Sequence, residues 1–454
     1  AGRAGPPRPA AGDRSVGWPD GKTGKTNNKT DMPMASASVE NRVAGPVGPS
    51  ERSVVLDVLR GLALLGIALA NFPEFSLYSF LPPEAAEALP TAGFDRVVRY
   101  LQYLFVDGKF YTIFSLLFGV GFSIILANAA RRGVDGFRIF YRRMAVLLLI
   151  GLLHLMFLWS GDILVLYALL GMLLPLFRNV SNRGLLIWAF GLLSLPVAVD
   201  FFVEYSGFSP SAPFVELQWR CCDRYGITES NFAYWLRDAT HYGQTFEFLI
   251  QGAWVRVQEF IGGNRYFRVM GLFLLGFYIG RNRLYADLAG RRRELERLAR
   301  LWFVFGLPLS CLYAWSALHG RPWGTGLHSV LYLVSVFPLG FAYVAGASLC
   351  CMRHPQWKIF RYFAAPGRMA LTNYIGQSVF GMGLFYGIGL GFGAEVGLVW
   401  VVLIAAGVWI VQSLFSRLWL ACCRFGPLEW LWRMLTYGKV FGLLKNGADG
   451  ATDR

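Results

Sequence analysis

The sequence has little charge for its length: charged residues make up 16% of its 454 residues, whereas hydrophobic residues make up 55%. A soluble chain of this size needs far more polar surface than that. The apolar residues are gathered into blocks of roughly 18 to 22, which is the length of a helix that crosses a bilayer core. The composition therefore excludes an ordinary soluble protein and predicts an all-α, polytopic transmembrane helical bundle.

Several motifs of common enzymes and metal sites are also missing. The sequence contains no Walker loop, no GxGxxG after a strand and no GxSxG elbow, so nucleotide-driven transport and a serine hydrolase are unsupported. The seven cysteines include no CxxC and no Cys/His spacing typical of zinc, and we expect no metal site. Cys221 and Cys222 are neighbours, which rarely bridge each other, so we expect no disulfide framework.

The apolar blocks predict about ten spans. They lie at approximately 54–72, 110–129, 142–160, 163–178, 184–203, 266–280, 301–318, 327–350, 370–388 and 397–420. The segment 97–109 could add a half-span. Around these spans we predict a disordered cytoplasmic tail at 1–50, a transmembrane domain at 51–425 with an external loop at 204–265, and an amphipathic interfacial helix and tail at 426–454.

The net charge of +15 raises the question of nucleic acid, and the positions of the basic residues answer it. Arginines cluster in alternate loops, for example at 131–143 and 281–300. By the positive-inside rule such loops are cytoplasmic, and ten spans with both termini cytoplasmic place every cluster on that side. We therefore expect membrane lipids as partners and no nucleic acid.

The first span carries polar residues at both ends. Asp57 and Arg60 are three residues apart and share a helix face, so they form either an interfacial ion pair that fixes the depth of the helix or part of a site. Asn71 lies about three turns further along. From spacing alone, a capping or loop role for Asn71 is at least as plausible as a catalytic one.

The third span contains a histidine inside an apolar run. His154 lies toward the far end of that span, and Asp162 follows in a tight bend eight residues later. A histidine in this position serves either as a general base that the carboxylate orients, or as a structural group bonded to a neighbouring helix.

Three further polar residues enter membrane helices. Lys109 stands at the mouth of the second span, where it is either a ligand contact or a snorkelling anchor. Arg368 and Asn373 belong to PGRMALTNYIGQS, a segment whose density of polar groups favours a lined cavity, although helix capping explains part of it.

The chain resembles the YeiB family of uncharacterised bacterial inner-membrane proteins, over about residues 51–440. The resemblance rests on the order of five motifs: LDVLRGLALLGIALAN, DGKFYTIFSLLFGVGFS, RRMAVLLLIGLLHLMFLWSGDIL, PGRMALTNYIGQS and FGPLEWLWRMLTYGK. It implies a multi-pass protein of the bacterial inner (plasma) membrane.

That family is distantly similar to membrane acyltransferases, which include the lysosomal heparan-glucosaminide acetyltransferase and bacterial sugar O-acyltransferases. These enzymes pass an acyl group from cytoplasmic acyl-CoA to an acceptor on the far side of the membrane. Their motif matches Asp57, Arg60, Gly61 and Asn71 here, which implies acyl-CoA as the donor and a small-molecule or glycan acceptor. The glucosaminide enzyme has a histidine shortly after the asparagine, and because this chain has none there, His154 would have to supply the base.

Two other classes of function remain open. In a transporter of small molecules or lipids, the same polar residues would line a pathway. In a non-enzymatic membrane scaffold, no cavity would join them.

Overall fold

The computed structural model describes residues 53–445, so the predicted tail at 1–50 and the last nine residues lie outside the described part. Within 53–445 the chain folds into seventeen α-helices and no strand, which confirms the all-α prediction. The helices are α1 Val54–Phe75, α2 Pro83–Glu87, α3 Ala92–Phe105, α4 Lys109–Arg132, α5 Gly136–Phe157, α6 Leu164–Gly171, α7 Asn182–Ser206, α8 Ala212–Tyr225, α9 Trp235–Asp238, α10 Tyr242–Gly262, α11 Arg265–Arg281, α12 Arg292–Leu318, α13 Gly324–Arg353, α14 Ile359–Arg368, α15 Ala370–Phe385, α16 Leu398–Cys422 and α17 Pro427–Tyr437.

Seven helical segments in the described residues are long and apolar enough to cross a membrane. They are Val54–Phe75, Ala92–Arg132, Gly136–Phe157, Asn182–Ser206, Arg292–Leu318, Gly324–Arg353 and Leu398–Cys422. The other three predicted spans are helical but shorter, and correspond to α6 with the 3₁₀ turn that follows it, to α11 and to α15. The apolar helices make this a membrane protein.

Glycines let the central helices approach closely. Gly119 of α4 lies against the carbonyl of Phe273, and Gly276 of α11 lies against the carbonyl of Leu116, so a side chain at either glycine would collide with backbone. The FGVGFSI segment of α4 therefore packs closely against α11, on a face that the two helices share. Other residues of the same two helices, among them Phe118 and Val269, line the cavity described below.

The predicted half-span at 97–109 is the end of α3 and the turn before α4. Gly108 adopts a left-handed backbone with φ of 74°, which allows the chain to turn sharply there. Ser310 of α12 donates a hydrogen bond to the carbonyl of Leu104, 2.9 Å away, and fixes the end of α3. The turn thereby delivers Asp107 and Tyr111 to the interior of the bundle.

Candidate functional site

A cavity of about 770 Å³ follows the first helix through the bundle. It is lined on α1 by Asp57 and Arg60 near the start of the helix and by Asn71 and Glu74 near its end. At 1.5 Å per residue, the stretch from the first to the last of these residues is about 25 Å long. The volume is in the range of small-molecule sites, and the length approaches that of a bilayer core.

One end of the cavity, which we call the arginine end, is lined by Arg60, Arg143, Arg368 and Arg433. Arg60 donates to the carboxylate of Asp57 at 2.7 Å, so the ion pair expected from their spacing is present. Asp57 is only 2% exposed. The guanidinium groups at this end suit an anionic, phosphate-bearing ligand, because they can bind phosphate oxygens through paired hydrogen bonds.

The tryptophan Trp432 of α17 also belongs to the arginine end. Its ring centre lies 3.6 Å from Cζ of Arg143, and its Nε1 donates to the backbone carbonyl of Arg143 at 2.9 Å. The sequence predicted only an amphipathic interfacial helix for the segment that contains Trp432. In the structure Trp432 lines the cavity and holds an arginine in place.

Close backbone contact explains why helices distant in sequence meet at this end. A methyl group on Gly61 of α1 would run into the carbonyl of Phe363 in α14, and one on Gly367 would run into the carbonyl of Asp57. With no side chain between them, α1 and α14 bring Arg60 and Arg368 to the same opening. The Arg-Gly pair of the first motif therefore combines a cavity-lining charge with a helix-packing glycine.

Glu429 of α17 completes the arginine end. Its carboxylate accepts hydrogen bonds from the backbone N–H groups of Leu371 and Thr372 at 2.7 and 3.1 Å, and from the Thr372 hydroxyl at 2.6 Å. An acid at a helix N-terminus is favourable because the free N–H groups carry partial positive charge. Burial raises the pKa of the Glu429 carboxyl. The predicted interfacial helix thus caps α15 from across the bundle.

The middle of the cavity is apolar and aromatic. Its walls include Phe110, Phe114, Phe118, Tyr167 and Tyr374. The hydroxyl of Tyr167 is satisfied by Ser115 at 2.5 Å, so the ring lines the cavity with its apolar face and keeps its polar group bonded. A long ligand with a charged head and an apolar or flexible stem would match this sequence of surfaces.

The opposite end, which we call the tyrosine end, mixes charges with tyrosines. Arg268 lies 4.0 Å from the ring centre of Tyr332 and 3.9 Å from the Asp200 carboxylate. Arg256 is 6% exposed; it bonds Glu259 at 2.5 Å and lies 4.0 Å from Glu74. Because Arg256 and Arg268 lie beside carboxylates, this end offers both donors and acceptors of hydrogen bonds next to its tyrosines.

His154 and Asp162 are in direct contact, as the orienting role predicted for the acid requires. Nδ1 of His154 lies 2.8 Å from Asp162 Oδ2, and Nε2 lies 2.8 Å from the hydroxyl of Ser378 in α15. All three side chains are buried, and the residues that line the cavity include their neighbours Trp159 and Tyr374 but none of the three themselves. The geometry is that of a serine–histidine–aspartate triad sealed behind the cavity wall.

The remaining predicted site residues fall into two groups. Asn71 is inside α1, which continues to Phe75, so it lines the cavity and does not cap the helix. Lys109 and Asn373 are buried beside the cavity without lining it. Lys109 donates to the carbonyl of Tyr103 at 2.6 Å, and Asn373 donates to the hydroxyl of Ser416 at 2.9 Å, so both join helices.

Residues 279–439 match the model of a family described as a protein of unknown function (DUF418). The uncharacterized protein YxaH of Bacillus subtilis is 32% identical over 405 residues, which cover 86% of this chain and 96% of YxaH. The chain belongs to the DUF418 family. YeiB of Escherichia coli, also an uncharacterized protein, is 30% identical over 418 residues, covering 85% of this DUF418 chain and 96% of YeiB, which confirms the resemblance stated above.

A third relative of this DUF418 protein is an uncharacterized 39.9 kDa protein from the amylase 3′ region of Bacillus acidopullulyticus. It is 31% identical over 413 residues, which cover 89% of the chain and 99% of the relative. No solved structure matches the chain. The names of these relatives state no activity.

Proposed function

We propose that this DUF418 protein is a transmembrane acyltransferase, which moves an acyl group from cytoplasmic acyl-CoA to an acceptor at the external face of the bacterial inner membrane. The observation that carries the proposal is the continuous cavity along α1, with arginines at one end and an aromatic middle. Acyl-CoA has a matching order of groups: phosphates, then a flexible stem, then the thioester and acyl chain.

The arginine end would hold the phosphates of the donor. Arg60, Arg143, Arg368 and Arg433 face a common space there, and Asp57 holds the Arg60 guanidinium from one side. A hydrogen bond to a charged group contributes about 1.5–3 kcal/mol, so removal of one such arginine should weaken binding by about 10- to 150-fold.

Asn71 would act at the thioester. It lies eleven residues beyond Arg60 on α1, which is roughly 16 Å along the helix axis, and it lines the same cavity. A stem anchored at the arginine end would therefore place its carbonyl carbon near Asn71. The side-chain amide is a donor that can stabilise the negative charge that develops on the carbonyl oxygen.

The orientation of the chain in the membrane is part of the same proposal. If α6, α11 and α15 cross the membrane together with the seven longer segments, the chain passes ten times and both termini are cytoplasmic. The arginine-rich segments, among them 281–300, then all face the cytoplasm, as the positive-inside rule requires. The arginine end opens toward cytoplasmic acyl-CoA and the tyrosine end toward the external face.

The rival function is transport of a small molecule or lipid. A transport pathway needs polar groups at both of its openings, and the cavity has charged residues at both ends, which favours transport. A membrane scaffold needs no cavity that joins Asp57, Arg60 and Asn71, and the 770 Å³ space is evidence against it. The enzyme and the transporter differ in that the enzyme requires CoA binding at the arginine end.

The test is ligand-induced stabilisation of the detergent-purified full chain. CoA or acetyl-CoA should raise Tm in a concentration-dependent way, as mass action requires. Arg60→Ala should abolish the shift at concentrations that saturate the wild type. Arg297→Ala is the matched control, since Arg297 is an exposed arginine of α12 away from the cavity, and it should leave the shift unchanged.

Two results would count against the enzyme. No shift with millimolar acetyl-CoA would favour the transporter. An equal loss of the shift in Arg60→Ala and Arg297→Ala would show that CoA binds through general surface charge and not in the cavity.

A further inference from the structure

His328 is the histidine that lines the cavity. The sequence contains five histidines, all within the described residues, and of these His328 alone is among the residues that form the cavity wall. It lies on α13, one turn before Tyr332, at the tyrosine end. Position and chemistry therefore single it out as a proton acceptor that a bound molecule can reach.

The ring of His328 is held by its neighbours in a way that suits a base. Nδ1 lies 3.0 Å from the hydroxyl of Ser316, and the imidazole lies beside the Tyr313 ring at a centroid distance of 4.9 Å. Among residues 53–445 no side chain or backbone group forms a hydrogen bond with Nε2. This nitrogen is also not one of the buried polar atoms that lack a partner, so it is open to the cavity. When Nδ1–H donates to Ser316, the free Nε2 is the basic nitrogen.

The surroundings of His328 suit a hydroxyl-bearing molecule. Asp107 and Asp200 bring carboxylate acceptors to the same end of the cavity, Arg268 brings a donor, and Tyr332 brings an aromatic face. The Asp107 carboxylate is fixed by the hydroxyl of Tyr313, which donates to it at 2.5 Å. Polar groups of both kinds beside aromatic rings are what a polyhydroxylated, sugar-like compound requires.

His154 differs from His328 in each of these respects. It is 1% exposed, both of its ring nitrogens have partners in Asp162 and Ser378, and Tyr374 stands between it and the cavity. To act as a base toward a cavity ligand it would have to break the bond to Ser378 and displace that wall.

We propose that His328 is the general base of acyl transfer and that the tyrosine end is the binding site of a hydroxyl-bearing, sugar-like acceptor, an inference that rests on the function proposed above. The acceptor hydroxyl loses its proton to Nε2 as its oxygen bonds to the thioester carbonyl carbon. The carbon–sulfur bond then breaks, and the CoA sulfur takes up the proton that Nε2 accepted, so that the products are an ester and free CoA and the imidazole is neutral again. His154 and Asp162 support the wall through Trp159 and Tyr374.

The experiment compares histidine variants in the detergent-purified full chain. Release of CoA thiol from acetyl-CoA is measured with glycerol and with glucose as hydroxyl probes, at matched amounts of folded protein. His328→Gln should lower the rate by about 100-fold to 10,000-fold, the usual cost of losing a general base, while the acetyl-CoA shift in Tm persists. His154→Gln should lower Tm and change the rate of the remaining folded protein by less than tenfold. His319→Ala, an exposed histidine stacked on Trp315, is the control that should change neither.

A second measurement needs no turnover. Diethyl pyrocarbonate, which modifies accessible imidazole nitrogens, should label His328 and leave His154 unlabelled, and acetyl-CoA with glucose should protect His328.

The outcomes separate the two proposals. Wild-type protein that binds no acetyl-CoA, or that binds it and releases no CoA with either probe, refutes the acyltransferase. Turnover that survives His328→Gln and collapses in His154→Gln refutes the assignment of the base to His328, keeps the acyltransferase, and moves the chemistry to the triad with Ser378. Labelling of His154 in place of His328 overturns the inference in the same way.

Discussion

The contact between α1 and α14 offers a sharp test of how the arginine end is built. In Gly61→Ala the new methyl group would meet the carbonyl oxygen of Phe363, which is backbone and cannot rotate away. The helices must then separate, and overpacking of this kind costs about 1–3 kcal/mol. We expect a fall in Tm of about 2–6 °C. Because α14 carries Arg368, we also expect weaker binding of CoA.

Gly407→Ala is the matched control for this prediction. Gly407 lies within α16, and a methyl group there would meet open space. Alanine is the better helix former by about 0.5–1 kcal/mol, so the control should be neutral or slightly stabilising. Both Tm values are measured by scanning fluorimetry, with CoA titrated into each variant. If Gly61→Ala matches Gly407→Ala in Tm and in CoA affinity, the close approach of α1 and α14 is not what forms the arginine end.

Three further predictions concern topology and the last helix. Tags between α11 and α12 and after Gly207 should report opposite sides of the membrane, the first of them cytoplasmic, and an external connection between α11 and α12 would contradict the ten-pass arrangement. Trp432→Ala should weaken CoA binding by roughly 2- to 30-fold in a calorimetric titration, because it removes the ring stacked on Arg143; unchanged affinity would leave Trp432 as an anchor only. Glu429→Ala should destabilise the protein by about 0.5–2 kcal/mol through loss of the α15 cap, and an unchanged Tm would contradict that role.

Apolar length made the helices predictable, because in a bilayer a helix satisfies its own backbone. All ten predicted segments are helical. The ends of the helices were less predictable. Helix α1 continues to Phe75, three residues past the predicted end, so Asn71 lies about one turn before the end of the helix and not at its edge. The helices α11 and α15 have only 17 and 16 residues. Whether helices of this length cross the membrane depends on the neighbouring helices and on the local bilayer thickness, and the apolar run in the sequence reveals neither.

In the site, local spacing predicted what lies within a turn or two of helix. The Asp57–Arg60 pair follows from three-residue spacing, whereas the contact of His154 with Asp162 depends on the bend between α5 and α6, which the eight-residue spacing alone does not fix. Arg143 and Trp432 are 289 residues apart, and only the folded chain joins them. The sequence placed Arg143 in a cytoplasmic loop cluster, where a basic residue needs no special partner.

The position of Asp57 and Arg60 bears on whether the pair only sets the depth of α1 in the membrane. A depth anchor places its charges among headgroups and water, where both partners stay exposed. Asp57 is instead 2% exposed, its backbone carbonyl packs against Gly367, and its carboxylate holds Arg60 at the edge of the cavity. Burial of a carboxylate is costly unless a cation stays beside it, so the pair keeps Arg60 fixed in place whether or not a ligand is bound. A fixed guanidinium loses less conformational entropy when it binds an anion than a free side chain does, and this favours a binding site over an anchor.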